Sequence, residues 1–166
     1  MPARILVAYA TRNGSTAGIA DAIGKELESA GHTTVVNEMK TITTVEGYDA
    51  IVIGAPVYMG KVIEIARFVG RHREKLSLRP VTAFAVGLAL VSKDPRQLEE
   101  GMKALTTSMV PLQPVAATLF SGNLDPGKLS FLQRKMTEMV KTPKGDFRDW
   151  DAIAAWAREL PGKLGV

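Results

Sequence analysis

Between Thr11 and Thr16 the chain reads Thr-Arg-Asn-Gly-Ser-Thr, directly after the apolar run Ile5-Leu6-Val7-Ala8-Tyr9-Ala10 and directly before a helical pattern of Ile19, Ile23 and Leu27. A strand that ends in a short hydroxyl-bearing loop opening a helix turns that helix's free N–H groups, and the positive end of its dipole, toward the loop. Such a place binds phosphate. The hydroxyls of Thr11, Ser15 and Thr16, a compact Gly14 and an unpaired Arg12 supply donors within half a turn, a set that suits one dianionic phosphate better than a triphosphate. The expected ligand is a mononucleotide. An ordinary helix-capping loop is the plainer reading, since Ser, Thr and Asn are favoured there anyway, although a cap needs only one of them. Neither Gly-x-x-x-x-Gly-Lys-Ser/Thr nor Gly-x-Gly-x-x-Gly follows this first strand, so the two common phosphate motifs are excluded on spacing.

A second loop reads Gly54-Ala55-Pro56-Val57-Tyr58-Met59-Gly60-Lys61. Pro56 stiffens it and Gly60 permits a backbone orientation closed to other residues, while Tyr58 and Met59 offer flat or polarizable surface to an aromatic ring. These properties suit an isoalloxazine; a tight turn with Tyr58 simply packed is the alternative. A third loop, Gly87-Leu88-Ala89-Leu90-Val91-Ser92, is apolar where a surface loop is ordinarily polar. It either covers the far side of a flavin, with backbone N–H groups meeting the pyrimidine carbonyls, or is buried beneath the following helix.

These loops need a frame. Apolar strand-like runs alternate with helical patterns: strands are expected near 4–10, 33–38, 49–54, 81–87 and 115–120, and helices near 15–30, 61–76, 94–109 and 150–160. Gly31 marks the end of the first helix, and Asp94-Pro95-Arg96-Gln97 supplies an N-cap, a first-position proline and a capping glutamine. Runs such as Ala50-Ile51-Val52-Ile53 lack alternation, as parallel strands covered on both faces do. With right-handed crossovers the expected fold is α/β, a three-layer, doubly wound, five-stranded parallel sheet of order 2-1-3-4-5. Ligands in such sheets sit where the order reverses, between strands one and three, which is where the first two loops leave.

The first loop resembles the flavodoxin signature, with Tyr9, Thr11, Gly14, Thr16, Ala20 and Ile23 on its positions and Ala8 departing toward a smaller residue. Together with Val52-Ile53-Gly54-Ala55-Pro56-Val57-Tyr58-Met59-Gly60, the Ala83-Phe84 stretch and Gly145-Asp146-Phe147-Arg148-Asp149-Trp150, it resembles the flavodoxin-fold, menaquinone-dependent protoporphyrinogen oxidase family over nearly the whole chain. That resemblance implies noncovalent FMN and oxidation of protoporphyrinogen IX in haem synthesis, with electrons passed to a membrane quinone. It places Thr11, Arg12, Asn13, Gly14, Ser15 and Thr16 on the phosphate and Pro56, Val57, Tyr58, Met59 and Gly60 in the first flavin loop; Lys61, Gly87, Leu88, Ala89 and Leu90 complete the expected site. The family's tyrosine beside the glycine is Met59 here, with Tyr58 one place earlier. A flavodoxin-like carrier exchanging electrons between protein partners is the other class of function.

The composition is compatible with either. A chain of 166 residues, 46% hydrophobic, fits one domain over 1–166. With no cysteine, and only His32 and His72, neither thiolate chemistry nor a histidine metal cluster is expected, and no catalytic side chain is nominated: redox chemistry rides on a bound cofactor. No apolar stretch approaches the ~18–20 residues that span a bilayer, so a cytoplasmic protein is expected, or one held peripherally at the inner face of the cell membrane. The net charge is +4, with Lys61, Arg67, Arg71, Arg73, Lys75 and Arg79 against Glu64 and Glu74 in one stretch. That face attracts anions such as a porphyrinogen's carboxylates, or is a solvated helix face; 6% aromatics disfavour nucleic acid. An extended segment, about 121–148, exceeds what a five-stranded sheet needs. Within it Leu129, Leu132, Met136, Met139 and Val140 form a stripe beside Lys128, Arg134, Lys135 and Lys141, which either lies on a membrane or packs on the sheet. The first flavin loop carries Lys61 and no acid, an arrangement expected to favour reduced flavin.

Overall fold

The apolar runs are strands covered on both sides. The computed structural model describes residues 2–12, 14–87, 94–124 and 145–166. In chain order the elements are β1 (Arg4–Tyr9), α1 (Ser15–Ser29), β2 (Thr33–Glu38), a 3-10 turn (Met39–Thr41), β3 (Ala50–Pro56), α2 (Ile63–Leu76), β4 (Val81–Gly87), α3 (Pro95–Met109), β5 (Ala116–Ser121), the two-residue strands β6 (Asn123–Leu124) and β7 (Gly145–Asp146), and α4 (Trp150–Leu164). The main sheet has the order β2-β1-β3-β4-β5 with every neighbouring pair parallel, as the alternation of strand and helix patterns requires.

Successive residues of each strand feed opposite layers. Ile5 and Val7 of β1 join Ile19, Ile23 and Leu27 of α1 and Ile153 and Leu160 of α4, whereas Leu6 and Ala8 join Ile65, Phe68 and Val69 of α2 and Leu105 of α3. Each such aliphatic side chain contributes about 1.5–3 kcal/mol on full burial, and the two layers together fix the register of the sheet. Phe84, Phe120 and Trp156 form an aromatic cluster with centroids 5.6–6.1 Å apart. Phe84 lies so close over its register partner Gly54 that a Cβ there would stand 1.9 Å from Cζ, which accounts for a glycine inside β3.

Several boundaries differ from the expected ones. β3 continues past Gly54 to Pro56, because it stays in register with β4 as far as Val86. α4 continues past residue 160 through Pro161 to Leu164, ending on Gly165 in the left-handed region. β6 and β7 pair antiparallel, Asn123 opposite Asp146, so that the two ends of the extra segment meet. The basic amphipathic stretch expected inside 121–148 lies outside the described residues. Among the described residues no helix is long and apolar enough to cross a membrane.

Candidate mononucleotide site

At the reversal of strand order the loops leaving β1 and β3 go to opposite faces and open a crevice between them. Tyr9 is in register with Gly54, and the Ala10 N–H donates to the Gly54 carbonyl at 3.0 Å, so β1 ends two residues short of the end of β3. The rim is continued by Val57 N–H to Val86 (2.8 Å) and Gly122 N–H to Gly87 (3.1 Å), which hold the ends of β3, β4 and β5 together. Gly122 also brings the end of β5 beside Ser15.

The loop after β1 leaves the start of its own helix without a side-chain cap. Gly14 occupies the N-cap of α1 with φ 88°, a conformation that disfavours side chains, and no described side chain accepts from the first turn. Thr11 Oγ1 turns back to accept from the Gly14 N–H at 2.9 Å, shaping the loop and leaving the helix end open. Thr16 is 1% exposed, and its hydroxyl has no hydrogen-bond partner. A buried hydroxyl without a partner costs about 1–3 kcal/mol, so its retention beside an uncapped helix end matches a site completed by an acceptor. An anion with several oxygens fits these donors; an ordinary capping loop would have satisfied them itself. Asn13 lies outside the described residues.

Arg12 departs from expectation. It is not unpaired: Nη2 donates to Glu64 Oε1 at 2.9 Å, and its guanidinium lies 4.1 Å from the centroid of Tyr58. The physical reason is tertiary. Glu64 sits in the first turn of α2, where a carboxylate is favoured by the helix dipole, and that turn faces the loop after β1. The first flavin loop itself carries no acid, and the Arg12–Glu64 pair stands beside it in addition to the Lys61 cation.

Pro56 ends β3, and Val57 lies beside Gly87 at the end of β4. Tyr58 and Lys61 exchange two backbone hydrogen bonds, at 2.8 and 3.1 Å, around Met59 (φ 53°) and Gly60 (φ 73°). Two consecutive positive φ angles are the signature of a type I′ turn, readily taken by glycine and costly for methionine. Met59 is thereby held at the apex, 72% exposed, while Tyr58 is partly covered beneath Arg12. Leu88, Ala89 and Leu90 lie outside the described residues.

The cationic stretch is an exposed face of α2 with some anchors. α2 buries Ile65, Phe68, Val69, His72 and Leu76 and exposes Arg67, Arg71, Arg73 and Lys75. Lys75 pairs with Glu46 at 2.9 Å, and the Arg79 guanidinium donates to the Val45 carbonyl. A cavity of about 220 Å3 between α2 and the end of β2 is lined by Tyr9, Thr11, Lys40, Glu64, Arg67 and Arg71, among others. Burial, with the carboxylates of Glu38 and Asp21, pushes the Tyr9 phenol above its ordinary value.

Glu64 and Gly122 were not singled out from sequence. A glutamate in a helix's first turn is commonplace, and Gly122 gave only the signal of following a strand. Arg148, in the closing motif, is held by Asp146 through two hydrogen bonds of 2.9 and 2.7 Å and lies over Trp150 at 4.7 Å. That pairing lowers the Asp146 carboxyl below its ordinary value.

Known proteins share this fold. Protoporphyrinogen IX dehydrogenase (quinone) of Escherichia coli strain K12 is 25% identical over 172 aligned residues, covering 95% of this chain and 94% of the relative. Oxidised flavodoxin 2 from Bacillus cereus superposes with a TM-score of 0.56 at 20% identity, covering 98% of each chain. The flavodoxin of Streptococcus pneumonia TIGR4 gives 0.57 at 15% identity, covering 98% of this chain and all of the other. The family model described as a flavodoxin domain matches residues 6–151. An open helix end and an orphaned buried hydroxyl at the switch point of a 2-1-3-4-5 sheet are thus found in a chain that belongs to the flavodoxin domain family, whose cofactor is FMN.

Proposed function

We propose that this chain is an FMN-dependent electron-transfer protein that takes electrons from one redox protein and delivers them to another. The observation that carries the reading is the uncapped start of α1 with the partnerless Thr16 hydroxyl beside it. The phosphate of FMN is held by the backbone N–H groups that open α1 and by the Ser15 and Thr16 hydroxyls, with Thr11 keeping the loop in shape and Asn13 and Gly14 completing it. The stretch from Pro56 to Lys61 takes one side of the ring system, with Tyr58 giving a flat face, and Gly87, Leu88, Ala89 and Leu90 take the other. Arg12 serves the site through Tyr58. Bound flavin supplies reversible one- and two-electron transfer. The chain's own work is to fix the ring at the rim of the sheet, to shield it with apolar side chains and to set the charge around it.

A second reading is favoured by a separate observation. The relatives named protoporphyrinogen IX dehydrogenase align over 95% of this chain, and α2 exposes arginines that suit a substrate with carboxylates. In that reading the chain oxidises protoporphyrinogen and passes electrons to a quinone. One anaerobic experiment separates the two: FMN-loaded protein is reduced and mixed with an oxidised ferredoxin, and in parallel oxidised protein is given protoporphyrinogen IX and menadione. Fast electron transfer to the ferredoxin without porphyrin formation is the expected result. Catalytic formation of protoporphyrin selects the second reading, and apoprotein that takes up no FMN overturns both.

A further inference from the structure

The cofactor loops account for Thr11 through Thr16 and Pro56 through Lys61 but leave Glu64 without a role. Glu64 joins two things that the sequence keeps apart. Its Oε1 accepts from Arg12, which leaves the loop after β1, and Arg12 in turn lies across the ring of Tyr58, which leaves the loop after β3. The three side chains come from three elements and meet at one point on the crevice. Neither charged group is free in water: the Arg12 and Glu64 side chains are 34% and 23% exposed, and Glu64 Oε2 is buried with no partner. Ion pairs on open surface contribute little, but a half-buried pair is costly to break from one side, because the abandoned charge cannot be fully rehydrated. The planar guanidinium is also the one cation that can stack on a ring and hold a carboxylate at once.

We infer that Glu64 is a positioning residue for the cofactor: it holds Arg12 across Tyr58 and so fastens the phosphate-side loop to the ring-side loop. The inference rests on the FMN reading above. It follows that the two ends of the ligand are gripped by one connected unit, and that Arg12 works on the ring through Tyr58 while backbone N–H groups and hydroxyls serve the phosphate. The turn that follows Tyr58 is closed by its own two backbone hydrogen bonds with Lys61, with Met59 and Gly60 in the left-handed region at the apex.

The test is a double-mutant cycle on FMN affinity, read from the quenching of flavin fluorescence by apoprotein. Wild type, Glu64→Gln, Arg12→Gln and the double variant are compared, with thermal melts of each apoprotein to confirm folding. Each single change is expected to weaken FMN binding about tenfold, and the double variant is expected to bind no more weakly than the weaker single, since both remove one fastening. The visible absorption bands of bound flavin should shift alike in all three variants, a change that a merely structural role would not give. Should Arg12→Gln fail to fold, Tyr58→Leu replaces it, and the Glu64→Gln penalty should vanish in that background. FMN affinity unchanged by Glu64→Gln, or penalties that multiply, overturns the inference while leaving the FMN reading intact. Wild-type protein that binds no FMN overturns both.

Discussion

α1 and α4 lie side by side on the same face of the sheet, each 15 residues long, and they begin in opposite ways. α4 starts on Asp149, whose carboxylate accepts from the Ala152 N–H at 3.0 Å. α1 starts on Gly14 in the left-handed region with no described side chain capping its first turn, and carries the orphaned Thr16 hydroxyl inside it. α3 follows the α4 pattern, with Asp94 accepting from Arg96 at 2.9 Å. α3 and α4 are thus capped by aspartates, whereas α1, like α2 with Val62 at its N-cap, starts without a side-chain cap. An absent cap costs about 1 kcal/mol and an orphaned hydroxyl about as much again, a cost that a bound anion reverses. Open donors at one helix end and satisfied donors at its neighbour distinguish a binding surface from a structural one within a single layer.

The largest expected effect comes from removing the orphan. Thr16→Val keeps the shape and loses the hydroxyl, so FMN affinity should fall on the order of fifty-fold, as for the loss of a hydrogen bond to a charged group. The apoprotein, relieved of a buried unpaired polar atom, should melt at the same temperature or slightly higher. Fluorescence titration and a melt of the apoprotein check both halves. A variant that melts lower yet binds FMN as wild type does would mean that the hydroxyl serves the fold.

Asp149→Ala asks the opposite question of α4. Losing this cap should lower stability by about 1 kcal/mol, a fall in melting temperature of roughly 2–4 °C for a chain of this size, with FMN affinity unchanged. Thermal denaturation with a parallel flavin titration reads it. A loss of flavin affinity without a loss of stability would erase the contrast between the two helix starts.

How much of this could be read in advance follows the range of the interactions involved. The loop that opens α1 was legible because strand, glycine, hydroxyls and helix are consecutive, and the 2-1-3-4-5 order because unalternating apolar runs between helical patterns leave few other parallel sheets. The partner of Arg12 was not legible: Glu64 lies 52 positions along the chain, and only the folded sheet brings α2's first turn beside the loop after β1. The turn around Met59 was hidden for the same reason, since its closure and Met59's φ of 53° go with backbone bonds between Tyr58 and Lys61 rather than with either side chain's character. β6 and β7, two residues each, carry no periodicity at all. Local chemistry was written in the order of residues; the connections between loops were not.

His72 offers the finest test of the contrast, because it too has an unpartnered buried atom, Nε2, but lies in α2 away from both cofactor loops. It sits at a non-helical point in α2 (φ −117°, ψ 17°), 4.7 Å from the ring of Phe68. Burial, with the nearby cations Arg71 and Lys75, holds its imidazole below the ordinary value of 6.5. The folded state thus resists the proton that the unfolded chain accepts. Its contribution to stability is complete above pH 6.5 and is lost as pH falls through that value toward the lower folded one. The carboxylates of Asp146 and Glu46, both lowered, act with the same sign but only below pH 4.5, so the window from pH 6.5 to 5 belongs to His72 among these shifted groups. Melting temperature should decline across that window in wild type and decline less in His72→Phe, which keeps a ring against Phe68 and has nothing to protonate. FMN should raise both curves by the same amount at each pH, because an orphan atom that belongs to packing has no stake in the ligand. If FMN instead flattens the wild-type curve alone, the unpaired nitrogen is coupled to the cofactor, and the separation between binding orphans and structural ones fails.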